Sequence, residues 1–233
     1  MFKTIKRLLK HSAIYGLGDM GGRVVSFLLI PVVLRYLTPE DYGALEIFQV
    51  LKNLCLAALP LGLASSIFRY YFKARDPAEQ DRVVSNAFFL LLAIAASLFL
   101  AGTLGRETIS RLLWGTPDFS LHVLVVTGTI SLEIVKVVPF ALLRAGERST
   151  YFATVEVVHI LSTLTLNIVF LVVFRLGILA ILLGGLAGTV LIFPMLIPAF
   201  ARRIRPVPDR REMGRLLLYG APVAVGSLTF LLI

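Results

Sequence analysis

Ionisable residues interrupt the apolar stretches of this sequence at spacings that suit the binding of a charged ligand. Two of them, Asp19 and Arg23, are four residues apart in the first apolar stretch. A charged side chain at the centre of a bilayer costs about 2.5–3.5 kcal/mol, so it usually faces a partner or a wet cavity. We therefore treat such residues as candidates for binding a charged ligand or carrying a proton.

Residues three or four apart share one face of a helix, and the polar residues fall into four such stripes. The stripes consist of Asp19 and Arg23; Glu46, Gln49 and Asn53, with Lys52 on their flank; Glu133 and Lys136; and Glu156 and His159, extended by Thr163 and Asn167. If the four stripes turn inward, they enclose a hydrated cavity that contains both signs of charge.

The cations of this cavity suit a phosphate group. Arg23 would bind it through a forked pair of hydrogen bonds, and Lys52 and Lys136 would act as point charges. The acidic residues would neutralise these cations in the empty cavity or carry a coupling proton; the candidates for coupling are Glu133, Glu156, His159 and Asn167. The alternative is that the charged pairs are structural and that the histidine is a hydrogen-bonded core residue.

The composition places these stripes in membrane-spanning helices. Of the 233 residues, 58% are hydrophobic and 16% are charged, and the mean hydropathy is +0.87. A crossing helix needs about 20 mostly apolar residues, and the sequence contains several such runs. It therefore predicts an all-α fold, a polytopic transmembrane helix bundle, rather than a soluble domain.

Six spans and the start of a seventh are predicted. The spans cover residues 11–36, 43–68, 83–104, 119–143, 151–174 and 177–200, and the seventh opens at Leu216. A short outer segment is expected at 105–118, with an interfacial helix through Ile109–Trp114 and with Trp114 at headgroup level. The predicted organisation is a six-helix N-terminal lobe at 1–201, a basic cytoplasmic linker at 202–215 and the start of a truncated second lobe at 216–233.

The distribution of basic residues predicts the orientation. With the N-terminus inside, sixteen of the 23 Lys and Arg residues lie in inner segments and four in outer segments. The positive-inside rule then places the N-terminus in the cytoplasm. Because topology and anionic lipid explain the net charge of +9, no nucleic-acid partner is expected.

The sequence contains no signature of a metal site, of a cofactor-binding site or of an enzyme. Cys55 is the single cysteine, which excludes an intramolecular disulfide and a thiolate cluster. The HExxH and GxSxG motifs are absent from the sequence. No loop is long enough to form a nucleotide-binding domain.

Three segments carry a resemblance to a known family. They are PVVLRYLTPEDYGALEIFQV at 31–50, with the turn Leu-Thr-Pro-Glu-Asp-Tyr-Gly at 37–43; SSIFRYYFKARD at 65–76; and the basic loop 202–215 that leads into LYGAPVAVGSL. In this order they resemble the bacterial oligosaccharide flippases. These form the polysaccharide-biosynthesis branch of the multidrug/oligosaccharidyl-lipid/polysaccharide exporter (MOP) superfamily.

The resemblance implies two bundles of six or more helices around a central cavity with alternating access. It implies that a polyprenyl-diphosphate-linked oligosaccharide moves from the cytoplasmic to the outer leaflet for O-antigen, capsule or exopolysaccharide synthesis. The expected location is a bacterial or archaeal inner membrane, among lipids and other polysaccharide-assembly membrane proteins. Arg23 and Lys52, and then Lys136, match the family's diphosphate-binding cations. Members have about twelve to fourteen spans, so this chain is expected to be a fragment or a half-unit.

Two other functions stay open. A drug or metabolite exporter of the same superfamily would be favoured by fewer cavity cations and a more aromatic lining. An intramembrane glycan polymerase or ligase would normally have a large outer loop, and the predicted outer segments are short.

Overall fold

A computed structural model of the chain describes residue 27, residues 29–205 and residues 208–231. The regular structure of these residues is entirely helical, as predicted. The helices are α1 (29–36), α2 (Pro39–Ala58), α3 (Leu63–Lys73), α4 (Pro77–Trp114), α5 (Ser120–Ala145), α6 (Ser149–Ile168), α7 (Ile178–Phe200) and α8 (Arg210–Leu231). A π-helical turn, Val169–Val173, extends α6, and a 3₁₀ turn, Ala201–Arg203, follows α7.

Five helical stretches of the described residues are long and apolar enough to cross a membrane. They are Pro39–Lys73, Pro77–Trp114, Ser120–Ala145, Ser149–Val173 and Ile178–Arg203. Each overlaps one of the predicted spans two to six, which confirms the polytopic bundle.

Local sequence sets the ends of these helices. Thr38 caps α2: its hydroxyl accepts from the Asp41 N–H, and the Asp41 carboxylate accepts from the Thr38 N–H, both at 3.2 Å. This reciprocal arrangement satisfies two of the free N–H groups at a helix start. Asp76 caps α4 by accepting from the Glu79 N–H at 2.7 Å. Between α2 and α3, the turn around Pro60 interrupts the second span.

The structure confirms a helix over Ile109–Trp114, but this helix is the continuation of α4 rather than a separate element. Helix α4 continues to Trp114 and ends at Gly115, whose φ of +76° stops the helix. No Gly or Pro in the sequence between Arg106 and Trp114 breaks the helix earlier. Trp114 is stacked on Phe48 of α2 at 4.4 Å between ring centroids, so it packs inside the lobe.

Helix α5 is the centre of the lobe. Of its most apolar window, 67% is buried, against 11–44% for the other four spans. It packs against α2, α3, α4, α6 and α7. Polar side chains on α5 therefore lie in the interior of the bundle.

Small residues let α6 and α7 approach closely. A Cβ added at Gly184 would overlap Asn167 Oδ1, and one added at Gly188 would overlap Thr163 Oγ1. Together with the fully buried Ala180, these glycines, spaced four residues apart, form a packing face of α7. Because both glycines lack a side chain, the two polar groups of α6 fit directly against the backbone of α7.

The segment between α7 and α8 is tied to the N-terminal part of α4 by a set of contacts that we call the linker clamp. The Arg205 N–H donates to Ser85 Oγ at 2.8 Å, and the Asp209 N–H donates to Asn86 Oδ1 at 2.7 Å. The Arg205 guanidinium also donates to Asp81 at 3.2 Å. The first six residues of α8 lie within the predicted linker.

Helix α8 then packs on α3 through a backbone-to-backbone contact. A Cβ added at Gly62 or at Gly220 would overlap the backbone of the other helix segment. One turn away, the Ser66 hydroxyl donates to the Leu216 carbonyl at 2.8 Å. This contact joins the first seven helices to the start of α8.

Candidate functional site

A cavity of about 810 Å³, the main cavity, lies between α1, α2, α5, α6 and α7. Most of its lining residues are aliphatic or aromatic. Its polar lining comes from Glu46, Gln49, Lys52, Thr129, Thr163 and Asn167. Volume and lining are those of a small-molecule site with a few placed polar groups.

Next to this cavity, three helices bring a carboxylate, an amine, an imidazole and a hydroxyl together in the Glu133 network. Lys136 Nζ lies 2.6 Å from Glu133 Oε2, one turn away on α5. The Thr189 hydroxyl of α7 donates to Glu133 Oε1 at 3.1 Å. His159 Nε2 of α6 is 3.3 Å from Thr189 Oγ1 and 3.9 Å from Glu133 Oε1. Both carboxylate oxygens therefore have a partner.

The network forms because α5, α6 and α7 each turn a polar side chain toward the Glu133 carboxylate. Glu133 and Lys136 are three residues apart, which puts both on the inner face of α5. Both side chains are only 13% exposed. Thr189 has one hydroxyl proton and a second acceptor within reach, the Gly185 carbonyl at 2.9 Å. Its proton can therefore point either to the carboxylate or to its own helix.

A second cavity, of about 270 Å³, lies beside the α2–α3 turn and is lined in part by the network. Its lining includes Glu133, Lys136 and Arg144 of α5 and Pro60 of the turn. Lys52, in the main cavity, interacts electrostatically with Glu133 and Lys136. The charged residues of α2 and α5 thus extend from one cavity to the other.

The structure groups most of the predicted site residues. Glu46, Gln49, Lys52 and Asn167 line the main cavity, and Glu133, Lys136 and His159 form the network. Asn53 is exposed on α2, and neither it nor Glu156, on α6, is among the lining residues of these two cavities. Asp19 and Arg23 lie outside the described residues.

Two residues of the site were missed at the level of sequence. Thr189 was hidden in an apolar span that reads as a packing face, although a single hydroxyl four residues from Gly185 was a weak signal. Arg144 was assigned to the loop after the fourth span, whereas α5 continues to Ala145 and includes it. The length of α5 brings this arginine to the second cavity.

Three polar groups of the main cavity have no partner among the described residues. Thr163 Oγ1 and Asn167 Oδ1 are buried without a hydrogen bond. Gln49, which is partly buried, makes no hydrogen bond with another described residue either. In the same part of the chain, no three His, Cys, Asp or Glu side chains are grouped so that they could hold a metal ion.

Solved structures share this fold. A MATE protein in complex with MaD3S is 17% identical, with a TM-score of 0.81, over 96% of this chain and 53% of that one. A MOP superfamily transporter from Pyrococcus furiosus is 18% identical, with a TM-score of 0.75, over 94% of this chain and 53% of that one. An outward-facing multidrug resistance MATE family transporter is 18% identical, with a TM-score of 0.74, over 94% of this chain and 53% of that one. The chain spans about half the length of each and is a multi-pass membrane protein with the MATE-type transporter fold.

Sequence comparison gives the family. The profile described as polysaccharide biosynthesis protein matches residues 8–233, so the chain belongs to that family. A protein of the Lsg locus of Haemophilus influenzae is 32% identical over 97 residues, which are 41% of this chain and 23% of that protein. The resemblance to the polysaccharide-biosynthesis branch is confirmed.

Proposed function

We propose that the chain forms the first lobe of a transporter that moves a polyprenyl-diphosphate-linked oligosaccharide from the cytoplasmic to the outer leaflet for surface polysaccharide synthesis. The family and the fold support transport in polysaccharide biosynthesis. We place the protein in the inner membrane with its N-terminus in the cytoplasm. In this proposal residues 1–201 are the first lobe and α8 opens the second.

The observation that carries the proposal is the position of the cations. Lys52 lines the main cavity, and Lys136 and Arg144 line the second cavity. Among the described residues Lys52 has no ion-pair partner, and the Glu133 carboxylate is paired with Lys136. Attraction between charges is several times stronger inside a protein than in water. The site therefore favours a ligand with a compact negative charge, such as a diphosphate.

The Glu133 network supplies a counter-charge for the empty site. While no ligand is present, Glu133 neutralises Lys136 at 2.6 Å. A bound diphosphate competes with this carboxylate for the cations, which keeps the ligand from binding irreversibly. The Thr189 hydroxyl connects Glu133 to His159 and gives a proton a hydrogen-bonded route to the carboxylate. Coupling through these residues, with Glu156 one turn before His159, is part of the proposal.

The experiment is export of surface glycan by cells that carry the full-length protein with Lys52→Met. We expect export to fall at least tenfold while the protein level in the membrane is unchanged. Arg111→Met is the matched control, because this arginine is exposed on α4 away from both cavities. Normal export by the Lys52 variant would contradict the proposal. Arg23→Ala is expected to behave like Lys52→Met.

A drug or metabolite exporter is the second candidate, and the mostly apolar lining of the main cavity favours it. The solved MATE transporter of similar fold is a multidrug resistance protein. An apolar or cationic drug gains nothing from Lys52. Resistance that is conferred by the wild type and is retained by Lys52→Met would support this candidate.

A further inference from the structure

We infer that Gln49 and Asn167 form a sugar-reading subsite of the main cavity, next to the cation that holds the phosphate. The inference rests on the proposed function, because it assigns the second half of the same ligand. It gives Asn167 a role in substrate choice rather than in coupling.

The first observation is a buried amide with unmet hydrogen bonds. Asn167 is 5% exposed on α6, and its Oδ1 has no partner among the described residues. Thr163, one turn earlier on the same helix, has an unpartnered hydroxyl. Buried polar groups in proteins almost always have a partner, so each exception needs an explanation. Both residues line the main cavity, and both of these oxygens are packed against the backbone of α7.

The second observation is that α7 fixes the position of this amide. Gly184 leaves the space that Asn167 Oδ1 occupies, and Gly188 does the same for Thr163 Oγ1. With its oxygen against α7, the amide cannot turn freely. The amide nitrogen has no hydrogen bond within the described part of the chain and is left as a donor for the cavity.

The third observation is the order of groups along α2. Gln49 precedes Lys52 by three residues, which corresponds to about 4.5 Å along a helix axis. Both side chains line the main cavity. A ligand that sets its phosphate on Lys52 therefore places the next group of the ligand beside Gln49. In a lipid-linked oligosaccharide, that group is the first sugar.

Neutral amides suit this position because each carries both donors and acceptors, as sugar hydroxyls do. A site that hydrogen-bonds a ligand rejects analogues without the matching group, since its own polar groups then stay unpaired. Helices α2 and α6 each contribute one amide to the lining of the main cavity, so a sugar bound there can meet hydrogen-bonding groups from two helices. The aromatic residue Tyr42 also lines this cavity.

The test is equilibrium binding to the full-length protein in nanodiscs. The probes are polyprenyl diphosphate without a sugar and the same lipid carrying one N-acetylhexosamine, one hexose or one deoxyhexose. The variants are Gln49→Met and Asn167→Leu, which keep the side-chain size. Asn53→Leu is the matched control, because this amide is exposed on α2 outside the lining of both cavities.

We expect the wild type to bind at least one sugar-bearing lipid more tightly than the bare lipid diphosphate. Gln49→Met and Asn167→Leu should each reduce this preference about five- to tenfold and change the affinity for the bare lipid less than twofold. Asn53→Leu should change neither. The inference is overturned if the wild type shows no preference for any sugar, or if both variants weaken all four lipids equally.

Failure of the proposed function gives a different pattern. Lys52→Met would then leave binding of the bare lipid diphosphate unchanged. A sugar preference that still depends on Gln49 and Asn167 in that case would keep the subsite and remove the phosphate assignment. Binding of none of the four lipids by the wild type would overturn both.

Discussion

Two buried asparagines of this protein have opposite surroundings. Asn86, in the linker clamp, is fully buried: its amide nitrogen donates to the Arg82 carbonyl at 2.9 Å, and its oxygen accepts from the Asp209 N–H at 2.7 Å. Asn167, in the main cavity, is 5% exposed, and its oxygen has no partner among the described residues. The first asparagine holds backbone in place through both ends of its amide, whereas the oxygen of the second is packed against α7 without a hydrogen bond.

The same contrast separates the two regions as wholes. In the linker clamp, the segment after α7 donates hydrogen bonds directly to Ser85, Asn86 and Asp81. In the main cavity, Gln49 and Lys52 are left with neither a hydrogen bond nor an ion pair to the described residues. A satisfied buried polar group contributes to stability, and an unsatisfied one costs free energy unless a ligand or water meets it. Stability and binding should therefore depend on different residues.

The largest effect on stability is expected at Glu133, which forms a buried ion pair with Lys136 and also lines the second cavity. Glu133→Leu leaves Lys136 buried without its partner, and breaking a buried ion pair costs about 3–5 kcal/mol. Thermal unfolding of the purified full-length protein in detergent measures the loss. The double variant Glu133→Leu/Lys136→Met should recover most of it. If the single variant is as stable as the wild type, the pair is hydrated and belongs with the cavity residues.

A smaller loss is expected where α8 crosses α3. Gly220→Ala places a Cβ against the Leu61 carbonyl and the Ser66 hydroxyl, and overpacking of this kind costs about 1–3 kcal/mol. Gly226→Ala on the same helix is the control, because nothing lies within 4 Å of its Cβ position. Equal unfolding temperatures for the two variants would show that the contact is looser than described.

The two asparagines test the contrast with one and the same substitution. Asn86→Leu removes the acceptor of the Asp209 N–H and should cost about 1–2 kcal/mol. Asn167→Leu breaks no hydrogen bond to a described residue and replaces an unpartnered buried oxygen by apolar atoms, so it should cost less stability than Asn86→Leu. The unfolding temperatures of the Asn86→Leu and Asn167→Leu variants, measured side by side, test this difference in stability. A larger loss at Asn167 than at Asn86 would reverse the assignment of the two regions.

Sequence reasoning predicted the fold class and most of the spans because long apolar runs and helix caps act locally. The continuity of α4 was missed because the charged residues after Gly105 suggested the end of a span, although the sequence has no Gly or Pro between Arg106 and Trp114. The family resemblance was also visible in the sequence, since it depends on segments that stay contiguous.

The site was only partly predictable because helix rotation is set by neighbouring helices. The spacing of Glu46 and Gln49 is compatible with either Lys52 or Asn53 as the next residue of the stripe, and the structure puts Lys52 in the cavity. Contacts between distant helices carry no local signal. Thr189 joins Glu133 across 56 positions of sequence, and nothing in either segment indicates the partner.

The most direct test of the account is one variant measured in two ways. For Lys52→Met in the full-length protein, we predict an unfolding temperature equal to or above that of the wild type, because this cation has no ion-pair partner among the described residues. We also predict at least tenfold weaker binding of polyprenyl diphosphate, while the affinity for polyprenol of the same chain length is unchanged. A lower unfolding temperature together with unchanged binding would make Lys52 a structural residue and contradict the account.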